Sequence, residues 1–147
     1  LLGHSAGAHL VALLNADPAL AAAQDSKPWR AAVVIDSAAL DVETLMTHRH
    51  LPLHDQAFGS DPAFWRLASP LQRLQRAPVA PMLLVCAAAR EDSCAAAQAL
   101  VDRTLAVGGH AELLALALDH FEINAALGSP GAYTEAVDDF LARADLF

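Results

Sequence analysis

Basic residues are scarce in this 147-residue chain: nine Lys and Arg stand against seventeen Asp and Glu, for a formal net charge of −8 and a pI near 5.1. A surface of that sign repels phosphate backbones and anionic lipid, so neither nucleic acid nor an acidic membrane surface is an expected partner. Cysteine is scarcer still. Cys86 and Cys94 are too few for a disulfide scaffold and have neither CxxC spacing nor the second pair that zinc requires. They read as two reduced thiols, with a local disulfide bracing the loop between them as the alternative. Long apolar runs are also missing. The longest, Val79 to Ala89, contains Pro81 and falls well short of the roughly 18 residues that cross a bilayer, so no membrane span is expected. No basic n-region precedes an apolar stretch, which leaves no secretory signal and makes the cytoplasm the expected compartment.

Apolar residues, in contrast, are plentiful. They make up 55% of the chain against 18% charged, a composition that builds a buried core and excludes general disorder. Ala6 to Asn15 is apolar almost all round, which predicts a buried helix ending before Asp17-Pro18. Ala31 to Ile35 has the length and β-branched content of a fully buried strand, and Pro81 to Cys86 reads the same way. Between them, Asp41 to Leu74 is irregular, with a short helix near Val42–Thr47, the polar segment HRHLPLH, and a helical turn after Asp61-Pro62. Ser93 to Val107 is a helix capped by Ser93 or Asp92 and stopped by Gly108-Gly109. Ala111 to Leu118 is a further strand and Gly131 to Ala144 a final amphipathic helix. Strands alternating with helices of this length predict an α/β fold with a parallel sheet.

Gly3-His4-Ser5-Ala6-Gly7 fits G-x-S-x-G and leads directly into the first buried helix. The spacing suits a serine on a tight strand-to-helix turn, where glycines two before and two after leave room for neighbouring backbone. Such a turn exposes Oγ and aims the helix N-terminus at the site, so the Ala6 N–H is a candidate oxyanion donor. A nucleophilic serine needs a base held in one tautomer by an acid. His120 lies just beyond the strand at Ala111–Leu118, and Asp92 lies in the turn after Pro81–Cys86. The order Ser5, Asp92, His120 is that of the α/β-hydrolases.

Several segments together resemble the C-terminal portion of an α/β-hydrolase, in the esterase and lipase branch that includes arylformamidase-like (kynurenine formamidase-like) enzymes. Gly3 to Leu10 is similar to the serine turn of that branch, and Asp119-His120-Phe121-Glu122-Ile123 to its histidine loop. Phe58-Gly59-Ser60-Asp61-Pro62, through Trp65 to Ser69-Pro70, resembles the segment before the acid-bearing strand. The resemblance covers essentially residues 1–147 and implies a serine hydrolase with catalytic Ser5, Asp92 and His120, the Ala6 oxyanion donor, and no metal or organic cofactor. It implies a small-molecule substrate, a carboxylic ester or, as the rival, an N-formyl aryl amide; oligomeric state is left open.

The acid departs from the family pattern. The glycine usual after that strand is absent from Cys86 to Asp92, and Glu91 stands beside Asp92. Asp92 is preferred for its shorter reach and the Ser93 that follows. Asp36, at the end of the preceding strand, is a further candidate because some hydrolases of this fold carry their acid there. The chain opens on Leu1 instead of Met and reaches its motif by the third residue, so it reads as a piece of a longer product whose early strands and HGGG-type oxyanion loop lie upstream. As a piece it is expected to be neither fully stable nor fully active. The competing reading is a non-catalytic hydrolase-like fragment or binding module. His48, His50 and His54 match no usual zinc spacing and read as a solvated loop. His4 and His9 are expected to be packed and hydrogen-bonded, and Met46, Phe58, Phe64 and Trp65 to line a pocket or to pack ordinarily.

Overall fold

The computed structural model describes residues 1–23 and 27–144. In chain order the elements are β1 (Leu2–His4), α1 (Ala6–Ala16), α2 (Pro18–Ala22), β2 (Ala32–Ile35), α3 (Val42–Thr47), α4 (Pro52–Phe58), α5 (Pro62–Ala68), α6 (Pro70–Arg73), β3 (Met82–Ala87), α7 (Glu91–Ala106), β4 (Ala111–Leu116), α8 (Glu122–Ala125) and α9 (Ala132–Arg143). The strands form one parallel sheet in the order β1-β2-β3-β4, with Leu2 beside Val33, Val34 beside Leu84, and Val85 beside Leu114. This is the expected α/β architecture.

Two-residue periodicity explains the layers. Every residue of β2 and β3 is buried, because successive side chains feed opposite faces and both faces are covered. Ala32, Val34, Met82 and Leu84 join Ala8, Val11 and Ala12 of α1 and Leu100 and Val101 of α7 in one core. Val33, Ile35, Leu83 and Val85 face the other way, onto Ile123 of α8 and Val137 and Phe140 of α9. Burying each such Val, Ile or Leu is worth about 1.5–3 kcal/mol, which makes register costly to slip. β4, at one edge, is only partly covered. Between β2 and β3 a separate cluster, Ala39, Val42, Met46, Phe58 and Ala68, gives the α3–α5 segment its own small core.

Several expectations need correction. Asp41 to Leu74 holds the two helices expected, α3 and α5, and two more, α4 and α6, so the HRHLPLH segment is half helical: His54 lies in α4, while His50 donates from Nε2 to Asp55 at 3.0 Å. A helix also follows Asp17 directly. Proline opens α2, α4, α5 and α6, where its fixed φ suits the first helical position and its missing N–H costs nothing. α7 begins two residues before Ser93, with Arg90 rather than Ser93 or Asp92 at the cap position. Cys86 and Cys94 are not free thiols: they form a disulfide with Cα atoms 5.3 Å apart, bracing the loop from β3 into α7.

Candidate active site

Ser5 occupies the single-residue turn between β1 and α1, at φ 55° and ψ −117°. Positive φ is strained for a residue with a Cβ, by roughly 1–3 kcal/mol, and here the surrounding backbone holds it. The Ser5 N–H donates to the Ile35 carbonyl at 2.9 Å, extending the β1–β2 ladder into the turn. Gly3 makes the sharp reversal possible: a Cβ there would lie 2.4 Å from the Gly7 carbonyl oxygen. Gly7 itself carries no such constraint, since a Cβ at that position meets nothing within 4 Å. Only the first of the two motif glycines is therefore sterically required. Ala6 is the first residue of α1, so its N–H is among those that a helix leaves without an internal partner.

His120 lies in the turn between β4 and α8. Asp119 Oδ1 accepts the N–H groups of Phe121 and Glu122 at 2.7 and 2.8 Å, and Glu122 in return accepts the Asp119 N–H at 2.9 Å. This reciprocal clamp sets the turn. It brings the His120 ring against Ser5, with Nε2 to Oγ at 3.1 Å.

The carboxylate on the other side of that ring is Asp36. Its Oδ2 stands 2.6 Å from His120 Nδ1, which assigns the proton to Nδ1 and leaves Nε2 free to accept from the Ser5 hydroxyl. Asp92, the preferred acid from the sequence, does not reach His120. Its side chain is 64% exposed, at the helix surface, 4.0 Å from Arg90, and its Oδ1 is occupied by the Ser93 N–H. Glu91 is exposed beside it. The correction has a physical cause. Starting α7 at Glu91 turns both acids outward, whereas Asp36 emerges from the buried end of β2 toward the sheet's carboxyl edge.

Asp36 is as strained as Ser5, at φ 53°, and its side chain is fully buried. Burial alone would push its carboxyl up. Hydrogen bonds from the Ser93 hydroxyl (2.6 Å), His120, the Ala87 N–H (3.1 Å) and Arg90 (2.7 Å) more than offset this and hold it at about 2. Arg90 also lies 2.7 Å from His120 Nδ1. A guanidinium only donates, so that approach is a hydrogen bond only when Nδ1 is bare; with the proton on Nδ1, both groups converge on Oδ2 instead. Asp36 is thus the point where β2, β3, α7 and the His120 turn meet. Ser93 and Arg90 were not foreseen as part of this cluster.

Of the remaining candidates, His9, Met46, Phe58 and Trp65 are occupied in packing. His9 is buried on α1, its Nε2 donating to the Ala68 carbonyl at 2.7 Å; burial lowers its pKa. Met46 and Phe58 belong to the α3–α5 core, and Trp65 Nε1 donates to the Phe58 and Gly59 carbonyls. Phe64 is 46% exposed. The His54 ring lies 6.4 Å from that of Phe58, and its pKa is lowered, first by burial and then by His50. No group of three His, Cys, Asp or Glu among the described residues is placed to hold a metal ion, and no described helix is long and apolar enough to cross a membrane. A concavity of about 570 Å³ lined by Pro78, Pro81, Gly109, Glu112, Phe140 and Arg143 lies at the amino end of the strands, opposite Ser5.

No protein-family model matches the sequence, and no curated protein matches it. Solved structures do. A thermophilic esterase of the Planctomycetes species Thermogutta terrifontis, esterase 2, superposes in its native form with a TM-score of 0.72 at 21% identity, over 99% of this chain and 55% of that one. Its butyrate-bound form gives 0.71 at 21%, over 99% and 56%. The form phosphonylated by sarin gives 0.70 at 19%, over 99% and 56%. The chain therefore has the core of an α/β-hydrolase fold, a parallel sheet with flanking helices, and spans about half the length of these structures.

Proposed function

We propose that this chain supplies the nucleophile, base and acid of a serine hydrolase, and that it acts on carboxylic esters. One observation carries the reading: Asp36, His120 and Ser5 form a continuous hydrogen-bonded series, at 2.6 and 3.1 Å, at the carboxyl ends of three parallel strands. In this reading Ser5 Oγ attacks the ester carbonyl while His120 Nε2 takes its proton. The developing oxyanion is held by the Ala6 N–H at the N-terminus of α1. His120 then returns the proton to the departing alcohol, and water, activated by the same nitrogen, resolves the acyl-enzyme. Asp36 keeps the proton on Nδ1 and stabilises the imidazolium.

Short acyl groups are the first substrates to test, because the similar esterase has been solved with butyrate and propionate. An N-formyl aryl amide is the second, since the same attack and proton return cleave it. The deciding experiment is fluorophosphonate labelling with peptide mapping, beside assays on p-nitrophenyl butyrate and N-formylkynurenine. Labelling at Ser5 and turnover abolished by Ser5→Ala are expected. Preference for N-formylkynurenine moves the substrate to the amide class. No labelling and no turnover, in a folded protein with its full natural sequence, replaces the enzyme reading with a ligand-holding one.

A further inference from the structure

His4 stands immediately before Ser5 at the end of β1, and the proposed chemistry gives it no part. Two contacts nevertheless tie it to His120, 116 residues further along. Its Nε2 lies 2.8 Å from the backbone carbonyl of His120. A carbonyl only accepts, so Nε2 of His4 carries the proton and donates it. The two rings also face each other, with centroids 4.5 Å apart and planes inclined at 37°.

These contacts act where the triad bonds do not. Asp36 and Ser5 engage His120 in the plane of its ring, through Nδ1 and Nε2. In-plane bonds resist sliding within the plane but leave tilting of the ring about the Asp36–Ser5 line comparatively free. A ring lying against the imidazole face opposes that tilt, and a bond to the His120 carbonyl fixes the backbone from which the side chain springs. Because His4 is covalently next to the nucleophile, it couples the serine turn to the base turn directly. The Asp119–Glu122 clamp shapes the base turn through bonds within that turn itself.

We propose that His4 is a positioning residue, which sets the distance and tilt of His120 relative to Ser5 through its hydrogen bond and its ring. The inference rests on the serine-hydrolase reading above. It assigns two separable contributions to one side chain: His4→Gln retains an N–H donor without the ring, and His4→Phe retains a ring without the donor. Loss of both, in His4→Ala, is expected to lower kcat and the rate of Ser5 phosphonylation by about tenfold to a hundredfold, the combined worth of one hydrogen bond and one aromatic contact. KM should stay within about twofold, since His4 acts on the reacting groups through His120 rather than on substrate binding.

The test measures kcat and KM with p-nitrophenyl butyrate for the wild type and the three variants, each normalised to sites titrated by fluorophosphonate. The low-field Nδ1 proton resonance of His120 is followed by NMR in parallel. Intermediate kcat values for Gln and Phe, with a weakened Nδ1 resonance in the Ala variant, support the proposal. Wild-type kcat per titrated site in His4→Ala overturns it, and so does a loss confined to thermal stability. Should His4→Ala fail to fold, equal and wild-type rates for Gln and Phe overturn it as well. A wild-type protein that neither labels at Ser5 nor turns over overturns the underlying serine-hydrolase reading, and the inference with it. Wild-type rates of Ser5 phosphonylation in all variants leave that reading standing and remove His4 alone.

Discussion

Replacing Asp36 with asparagine separates the two candidate acids and has a magnitude that follows from the hydrogen bonds. Oδ1 of Asp36 accepts the Ala87 N–H and the Ser93 hydroxyl, while Oδ2 accepts His120 and Arg90. An asparagine would keep its carbonyl oxygen toward the fixed Ala87 N–H. Its NH₂ would then face Nδ1 and donate to it, which drives the ring proton onto Nε2, where it opposes the Ser5 hydroxyl. Loss of the reactive tautomer is worth up to about 10⁴-fold in kcat. Stability falls as well. The Asp36 carboxyl is held at about 2 against an ordinary 3.8, a difference of about 2 kcal/mol in favour of the folded chain at neutral pH. Because the folded pKa is the lower one, that contribution is complete above 3.8 and disappears as pH falls through 2. Asp36→Asn should accordingly lose stability near pH 7 and show a flatter dependence on pH between about 4 and 2. The assays are kcat with p-nitrophenyl butyrate and urea unfolding at a series of pH values. Asp92→Asn is the control: at 64% exposure its change should stay within about 0.5 kcal/mol, with kcat unaltered. A larger loss of kcat in Asp92→Asn than in Asp36→Asn would refute the assignment drawn from the geometry.

Other consequences are open to direct measurement. Ser5→Ala should cost roughly 10³-fold or more in kcat, read in the same assay. Ser5→Gly should be comparably inactive yet more stable by about 1 kcal/mol, because glycine relieves the φ of 55°; a lower urea midpoint than that of Ser5→Ala contradicts the strain argument. Gly3→Ala should impair folding, since its Cβ meets the Gly7 carbonyl at 2.4 Å, while Gly7→Ala should be neutral or stabilising by up to about 1 kcal/mol. Thermal melts that rank these two the other way remove the steric explanation of the motif. Opening the Cys86–Cys94 bridge, eight residues apart, should cost about 2 kcal/mol and loosen Arg90 and Ser93 on Asp36, seen as a drop in melting temperature under dithiothreitol.

The central strands were readable because burial on both faces writes itself as an unbroken apolar run. Ala31–Ile35 and Pro81–Cys86 fall within a residue or so of the observed β2 and β3. The long helices α1, α7 and α9 were readable for the complementary reason, being bounded by a turn serine, a glycine pair and a glycine. The short helices α2, α4, α6 and α8 were not. None exceeds seven residues, too few for an apolar stripe to repeat; α2, α4 and α6 are held by proline starts and α8 by the burial of Ile123. The pairing of Ser5 with His120, 3.1 Å apart, was legible from motif and chain order. The carboxylate beside His120 was named only as a further candidate behind Asp92, since proximity of Asp92 to the third strand's end says nothing about which way the first turn of α7 faces. A signal for Asp36 did exist: it is the first charged residue after a fully buried strand, and in a parallel sheet that end is where ligands are met.

Backbone strain points to the same residues independently of the hydrogen bonds. Among the described residues only two other than glycine have positive φ, Ser5 at 55° and Asp36 at 53°. Each directly follows a strand, and each donates its N–H to the neighbouring strand's carbonyl, Ser5 to Ile35 and Asp36 to Val85. The ladder thus continues one residue past the end of β1 and of β2, and φ reverses at that residue. The reversal turns the side chain out of the sheet's pleat toward the space above the strand ends, where His120 waits. A sequence selected for stability alone would place glycine or asparagine at such positions. Keeping a serine at one and an aspartate at the other, each at a cost of roughly 1–3 kcal/mol, is the pattern expected when the strained side chains are the ones that function requires.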